Sequence, residues 1–180
     1  ISTPAIENDI MYGNNRDANL VFINYGRSDF SHGMMVYSKL EEQSVALTAA
    51  HQVDIYCHYI MPQYWEEAKK IYLSRMDEIT DLALKHNGRI TMVDMGCGPA
   101  TCGVALAESL KETTSSPTVP TLSYIGIDIS EAMRIKGEEE MSTKVDKATP
   151  QTSKANNIRW QFVPSMDEAA VLLATINSSL

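Results

Sequence analysis

The sequence predicts an α/β fold organised on a doubly wound parallel sheet, and three observations carry that expectation. The β-prone run Arg89-Ile90-Thr91-Met92-Val93-Asp94-Met95 passes through an acid into the bend Gly96-Cys97-Gly98-Pro99-Ala100, and helix-compatible residues follow from Thr101. A second apolar run, residues 122–127, also ends on an acid, Asp128, and also leads into a helical pattern. A long amphipathic stretch stands immediately before the first of these runs. Strands alternating with helices in this way build a parallel sheet with helices on its faces.

Composition narrows the class. At 180 residues, with 44% hydrophobic and 21% charged side chains, the sequence has the make-up of an ordinary globular chain. Its formal charge of -8 and its isoelectric point near 4.9 argue against a broad electrostatic surface for nucleic acid. No apolar run approaches the roughly 20 residues needed to cross a bilayer, and the first residues lack a charged-then-apolar leader pattern. An intracellular, cytoplasmic chain with no membrane partner is therefore expected. The cysteines, Cys57, Cys97 and Cys102, are odd in number and lack a metal-ligand framework, which fits a reducing compartment.

Taken in order, residues 1–30 carry one apolar island, Leu20-Val21-Phe22-Ile23, which reads as a short strand or part of a lid. Met34, Met35, Tyr37 and Leu40, then Val45, Ala46, Leu47, Ala49 and Ala50, recur at spacings that predict one or two helices ending before Pro62. His51 and His58 lie two helical turns apart on this stretch, but no carboxylate or further histidine completes a site, so packing is the preferred reading and no metal is expected. Pro62 suits the first residue of a helix, where its missing N–H is no loss. From there Tyr64, Trp65, Ala68, Ile71, Tyr72, Met76, Ile79, Leu82 and Ala83 trace one continuous apolar stripe, and Asn87-Gly88 stops it. Core packing is also preferred for the aromatic group Tyr59, Tyr64 and Trp65, the alternative being a cover over a ligand.

Beyond the bend, Val104, Leu106, Ala107 and Leu110 predict a short helix, and residues 111–120 a polar connection. A helix over residues 131–141 follows the second strand, then a second polar connection over 143–157. A third strand is expected at 158–163, and a third helix at 166–176 opens on Asp167 and Glu168. The domain reading is a helical extension or lid over residues 1–87 and a ligand-binding α/β domain over 88–180.

The chemistry concentrates at the two strand ends. Gly96 and Gly98 open backbone angles closed to other residues and remove side chains where a bound molecule must approach. In α/β sheets ligands sit outside the carboxyl ends of the strands, which brings Asp128 beside the Gly96–Gly98 bend. Cys97 within the bend is read as packing or ligand lining rather than a nucleophile, since no histidine shares the motif.

These residues, Asp94-Met95-Gly96-Cys97-Gly98-Pro99-Ala100 followed by a strand ending in Asp128, resemble the first two motifs of class I S-adenosylmethionine-dependent methyltransferases. The usual first motif is acidic-x-Gly-x-Gly-x-Gly, and Ala100 here takes the third glycine position. The resemblance implies a Rossmann-like doubly wound sheet preceded by N-terminal helices, of which this chain holds an incomplete core. It further implies S-adenosyl-L-methionine as cofactor. The backbone of Gly96, Cys97 and Gly98 would meet its methionine and ribose parts, while Asp94 would orient the bend or the amino group. Asp128 would hold the ribose hydroxyls, and Ile129 and Met133 would flank the adenine. Methyl transfer from a sulfonium is a direct displacement, so no protein nucleophile is required and no catalytic side chain is assigned. The acceptor is not legible; the acidic balance slightly favours a small molecule over protein or RNA.

Two other readings stay open. A methyltransferase-like domain can serve as an inactive assembly or scaffold subunit with a protein partner. A nicotinamide-dependent oxidoreductase also begins with strand, glycine turn and helix, but its Gly-x-Gly-x-x-Gly fingerprint would place a third glycine where Thr101 stands. Asp128 also lies farther on than the roughly 20 residues of that fingerprint.

Overall fold

The structure is a computed structural model that describes residues 34–38, 43–113, 120–146 and 158–178. The chain divides into two compact units, Ile1–Tyr59 and Ile60–Leu180. The apolar island at residues 20–23 lies outside the described residues.

In the first unit, strands β1 (Met34–Ser38) and β2 (Gln43–Leu47) pair antiparallel, with Met34 opposite Leu47 and Ser38 opposite Gln43. Helix α1 (Ala49–Tyr59) follows. The helical expectation for residues 34–47 is thus corrected to a hairpin. Short apolar runs fit a helical and an extended pattern equally, and Val36, Tyr37 and Val45 are residue types that favour a pleated strand. The helix begins only where Thr48 supplies a cap, its Oγ1 accepting the His51 N–H at 3.3 Å.

The second unit opens with α2 (Met61–Ser74) and α3 (Met76–Lys85), and Pro62 lies in the first turn of α2, as expected. The stripe expected to form one long helix is broken at Arg75, whose backbone (φ -114°, ψ 15°) leaves the helical region. The Ser74 hydroxyl donates to the Ile71 carbonyl at 2.8 Å, a local bond that competes with the helical ladder. At the far end, Asn87 adopts φ 55°, and the Gly88 N–H donates to the Ala83 carbonyl at 2.8 Å, the six-residue closure of a Schellman stop. The Gly88 carbonyl then accepts the Thr121 N–H at 2.8 Å and so starts the sheet.

That sheet has three parallel strands in the order β3 (Arg89–Met95), β4 (Thr121–Ile127), β5 (Ile158–Val163). Met95 pairs with Ile127, and Ile127 with Val163, so all three strands end at one level. Helices α4 (Thr101–Thr113), α5 (Glu131–Glu140) and α6 (Met166–Ser178) follow β3, β4 and β5 in turn. The α/β class is as expected, an open parallel sheet compatible with part of a doubly wound fold.

Alternation along the strands sorts the core into two faces. Ile90, Leu122, Tyr124 and Ile158 turn to one side and pack with Val104, Ala107 and Leu110 of α4. Ile125, Ile127 and Val163 turn to the other, where Ala169, Leu172, Leu173 and Ile176 of α6 cover them. Central strand β4 is closed on both faces, which is why its sequence is apolar nearly throughout. Over β3 the second face stays open, with Val93 38% and Met95 70% exposed.

The polar stretch after α5 holds more structure than its composition suggests. A π-helical turn (Met141–Asp146) continues α5 and sends Met141 and Val145 fully into the core, while the Lys111 ammonium donates to the Val145 carbonyl. The expected connection over 143–157 therefore begins later. Apolar residues four apart, set among Lys, Ser and Thr, were the signal for it.

Candidate functional site

The carboxyl ends of β3 and β4 bring the chemistry together. Asp94, one residue before the end of β3, accepts the Tyr124 hydroxyl at Oδ2 over 2.9 Å. Tyr124 comes from β4 and is 1% exposed, so its hydroxyl needs a partner inside the protein. Its ring fits only because residue 103 is glycine: a Cβ there would sit 2.5 Å from the ring. Burial holds the Asp94 carboxyl above the usual carboxylate range; the Tyr124 bond opposes that shift, and the nearby Asp128 charge adds to it.

The bend itself is tied to the neighbouring strand. The N–H groups of Gly96 and Cys97 both donate to the Ile127 carbonyl, at 2.8 and 3.0 Å. Left-handed backbone occurs at Gly96 (φ 69°), Gly98 (φ 53°) and Ala100 (φ 61°), an alternate-position rhythm. Glycine adopts it freely, whereas the Cβ of Ala100 adds roughly 1–2 kcal/mol of strain. The Ala100 carbonyl accepts the Val104 N–H at 2.9 Å, so Ala100 is the residue from which α4 starts, and it has no side-chain oxygen to cap that helix.

Cys97 is buried under the bend, its thiol aimed at the Gly98 carbonyl at 3.4 Å. Burial, followed by the charges of Asp94 and Asp128, pushes that thiol up to about 12. It is therefore protonated at neutral pH and no nucleophile, which supports packing over reactivity.

Asp128 spans both strand ends. Its Oδ2 accepts the Gly98 N–H at 3.0 Å, and its Oδ1 accepts the Ser130 N–H at 2.9 Å. A carboxylate has about four acceptor positions, so two remain beyond these bonds. Ser130 caps α5, its Oγ accepting the Met133 N–H at 3.2 Å. Ile129, between them, projects outward at 84% exposure. Met133 is 5% exposed and lies beneath the bend, its Sδ 3.9 Å from where a Gly98 Cβ would be.

The structure thus gathers Asp94, Gly96, Cys97, Gly98 and Asp128 at one pair of strand ends and sets Ile129 on the rim. Met133 supports the bend from inside. Sequence reasoning missed Tyr124 and Arg134. A hydroxyl-bearing ring within an otherwise apolar strand was a usable signal for Tyr124. Nothing in the sequence marked Arg134, whose guanidinium reaches back to the Asp128 carbonyl at 2.6 Å and the Ile129 carbonyl at 3.1 Å.

Among the described residues, no group of three or more His, Cys, Asp or Glu could hold a metal ion. His51 meets the Thr48 hydroxyl at 3.1 Å, and His58 stacks edge-on to Tyr59 at 4.7 Å. Trp65 packs against the core with the Lys69 ammonium 4.9 Å above its ring, while Tyr64 is exposed. No described helix is long and apolar enough to cross a membrane. Comparison with protein-family models, with curated proteins and with solved structures finds no match.

Proposed function

We propose that the ends of β3 and β4 bind S-adenosylmethionine and that the protein serves methyl transfer to an acceptor. The observation carrying this reading is the 3.0 Å bond from the Gly98 N–H to the Asp128 carboxylate, which joins the glycine bend and the strand-end acid in one site. The residues fit the group. Gly96 has open space where a side chain would stand, Asp128 retains acceptor positions for two ribose hydroxyls, and Ile129 offers an exposed apolar side chain to an adenine. The left-handed rhythm at residues 96, 98 and 100 follows the acidic-x-Gly-x-Gly-x-Gly form, whereas Thr101 occupies the third glycine position of the dinucleotide fingerprint.

When bound, the cofactor supplies an activated methyl group on a sulfonium. The protein's part is to hold and align. The Gly96–Gly98 backbone admits close approach, Asp128 would hold the sugar, and Asp94, oriented by Tyr124, sets a partly buried carboxyl at the end of β3 beside the bend. The neutral Cys97 thiol does not compete as a methyl acceptor. A small-molecule acceptor accords best with the charge of -8, with protein and RNA as the other classes.

One observation favours a second reading, an inactive methyltransferase-like assembly or scaffold subunit. Both Asp128 oxygens already accept backbone N–H groups, so the carboxylate has a structural use without a ligand. Calorimetry with S-adenosylhomocysteine, S-adenosylmethionine and NAD separates these readings. Adenosyl binding by the wild type, weakened at least tenfold by Asp128→Ala, is expected, since that change removes the acceptors for two hydroxyls. Binding of NAD alone would point to a nicotinamide-dependent oxidoreductase, and binding of none of the three to the scaffold.

A further inference from the structure

The Asp128–Ile129 turn is held by a residue that the site chemistry above does not use. Arg134 lies in the first turn of α5, where the helix dipole disfavours a cation, so its charge gains nothing from the helix itself. Its Nη1 reaches back over that turn and donates to the carbonyls of Asp128 and Ile129, at 2.6 and 3.1 Å. Bonds from a guanidinium are among the stronger ones available to a backbone carbonyl.

These two bonds complete the immobilisation of Asp128. Its N–H donates to the Val163 carbonyl of β5 at 3.2 Å, its own carbonyl accepts from Arg134, and its carboxylate is fixed by the N–H groups of Gly98 and Ser130. Ile129, exposed on the rim, is held through its carbonyl alone among these bonds. We infer that Arg134 is a positioning residue for adenosine recognition: by tying the two carbonyls of the turn it keeps the Asp128 carboxylate against the Gly98 N–H and presents its remaining acceptor positions, with the Ile129 side chain, to the sugar and base. The inference rests on the adenosyl-binding reading above. A side chain locked by its neighbours binds more tightly than a loose one because its ordering cost is met before the ligand arrives.

Two measurements test it, one with ligand and one without. In the intact chain, amide hydrogen exchange resolved by nuclear magnetic resonance reports the Gly98 N–H directly. Arg134→Gln is expected to speed Gly98 exchange while leaving the amides of Leu122 and Ile125 in the central strand as they are. Calorimetry with S-adenosylhomocysteine is expected to show Arg134→Gln binding roughly tenfold more weakly than wild type, the scale of one lost charge-assisted bond, with Arg134→Lys recovering part of the loss. A merely structural role would not be rescued by lysine at the ligand while the core amides stay unchanged. Unaltered Gly98 exchange in Arg134→Gln, or in Arg134→Met if the glutamine variant fails to fold, overturns the inference whatever the ligand does. Failure of the wild type to bind S-adenosylhomocysteine overturns the adenosyl reading instead, and the Gly98 exchange still decides whether Arg134 holds the turn.

Discussion

Residue by residue, the site is a set of small costs placed under one bend. Gly96 isolates the backbone share of that cost, because a Cβ there would meet nothing within 4 Å. Gly96→Ala should destabilise the fold by about 1–2 kcal/mol through the left-handed φ alone, read from urea unfolding. Tyr124→Phe probes the buried acid. The raised Asp94 contributes stability that is fully present below its ordinary value of 3.8 and is lost as pH rises through its folded value. Removing the Tyr124 hydroxyl takes away the bond that opposes this rise, and strands an ionised, buried oxygen once Asp94 has lost its proton. The substitution should therefore cost little in acid and about 1–3 kcal/mol at neutral pH, a difference that urea midpoints at the two pH values would show.

A second pH effect comes from groups raised on the basic side. Burial lifts the Cys97 thiol from its ordinary 9 to about 12, and lifts Tyr72 and Tyr124 in the same direction. Lys69, hydrogen-bonded to Glu112, is raised as well. Stability from Cys97 is present below pH 9 and disappears as pH climbs through about 12, and the other three act with the same sign. Unfolding midpoints should fall steeply over that interval, and Cys97→Ala should flatten part of the fall.

At the level of elements, what matters is where one chain segment lets another come close. Helix α4 and strand β4 meet at Gly103, and a methyl there would sit 2.5 Å from the Tyr124 ring. Gly103→Ala should destabilise by about 3 kcal/mol, at the upper end for overpacking, and should also disturb Asp94, since the displaced ring carries its hydrogen-bond donor. By contrast, the Arg75–Glu78 pair at the helix break is exposed on both sides. Arg75→Ala should move the unfolding midpoint by no more than about 0.5 kcal/mol.

Elements also show where patterns in the sequence were enough and where they were not. The three strands of the parallel sheet, and the helices after them, were legible because each β-prone run gives way to a turn and then to helical spacing of apolar residues. The hairpin at residues 34–47 was not, since runs this short fit both periods and long-range pairing decides between them. The break at Arg75 was also hidden, because the apolar stripe continues across it and the Arg75 N–H still donates to the Ile71 carbonyl, which the Ser74 hydroxyl shares.

For the molecule as a whole, the second unit is organised by one sheet with two unequal faces. Leu110 sits wholly buried in the larger cluster, between α4 and the sheet. Leu110→Ala should cost about 2–5 kcal/mol in unfolding free energy, the largest single-site loss among these substitutions, because the rigid strands around it cannot close the cavity. The composition had already excluded a strongly basic protein, but it said nothing of how the helices of residues 61–85 group with the sheet; the division at Tyr59 and Ile60 follows from packing.

The sequence by itself determined the α/β class, the order of strand, bend and helix, and the glycines and acids that mark the strand ends, because those depend on period, turn chemistry and local caps. Only the tertiary structure decided that Asp128 bonds to Gly98, that Tyr124 crosses to Asp94, and that Arg134 ties the turn between them. Each of those contacts joins atoms whose distance is set by sheet register and side-chain direction, and no local pattern encodes either.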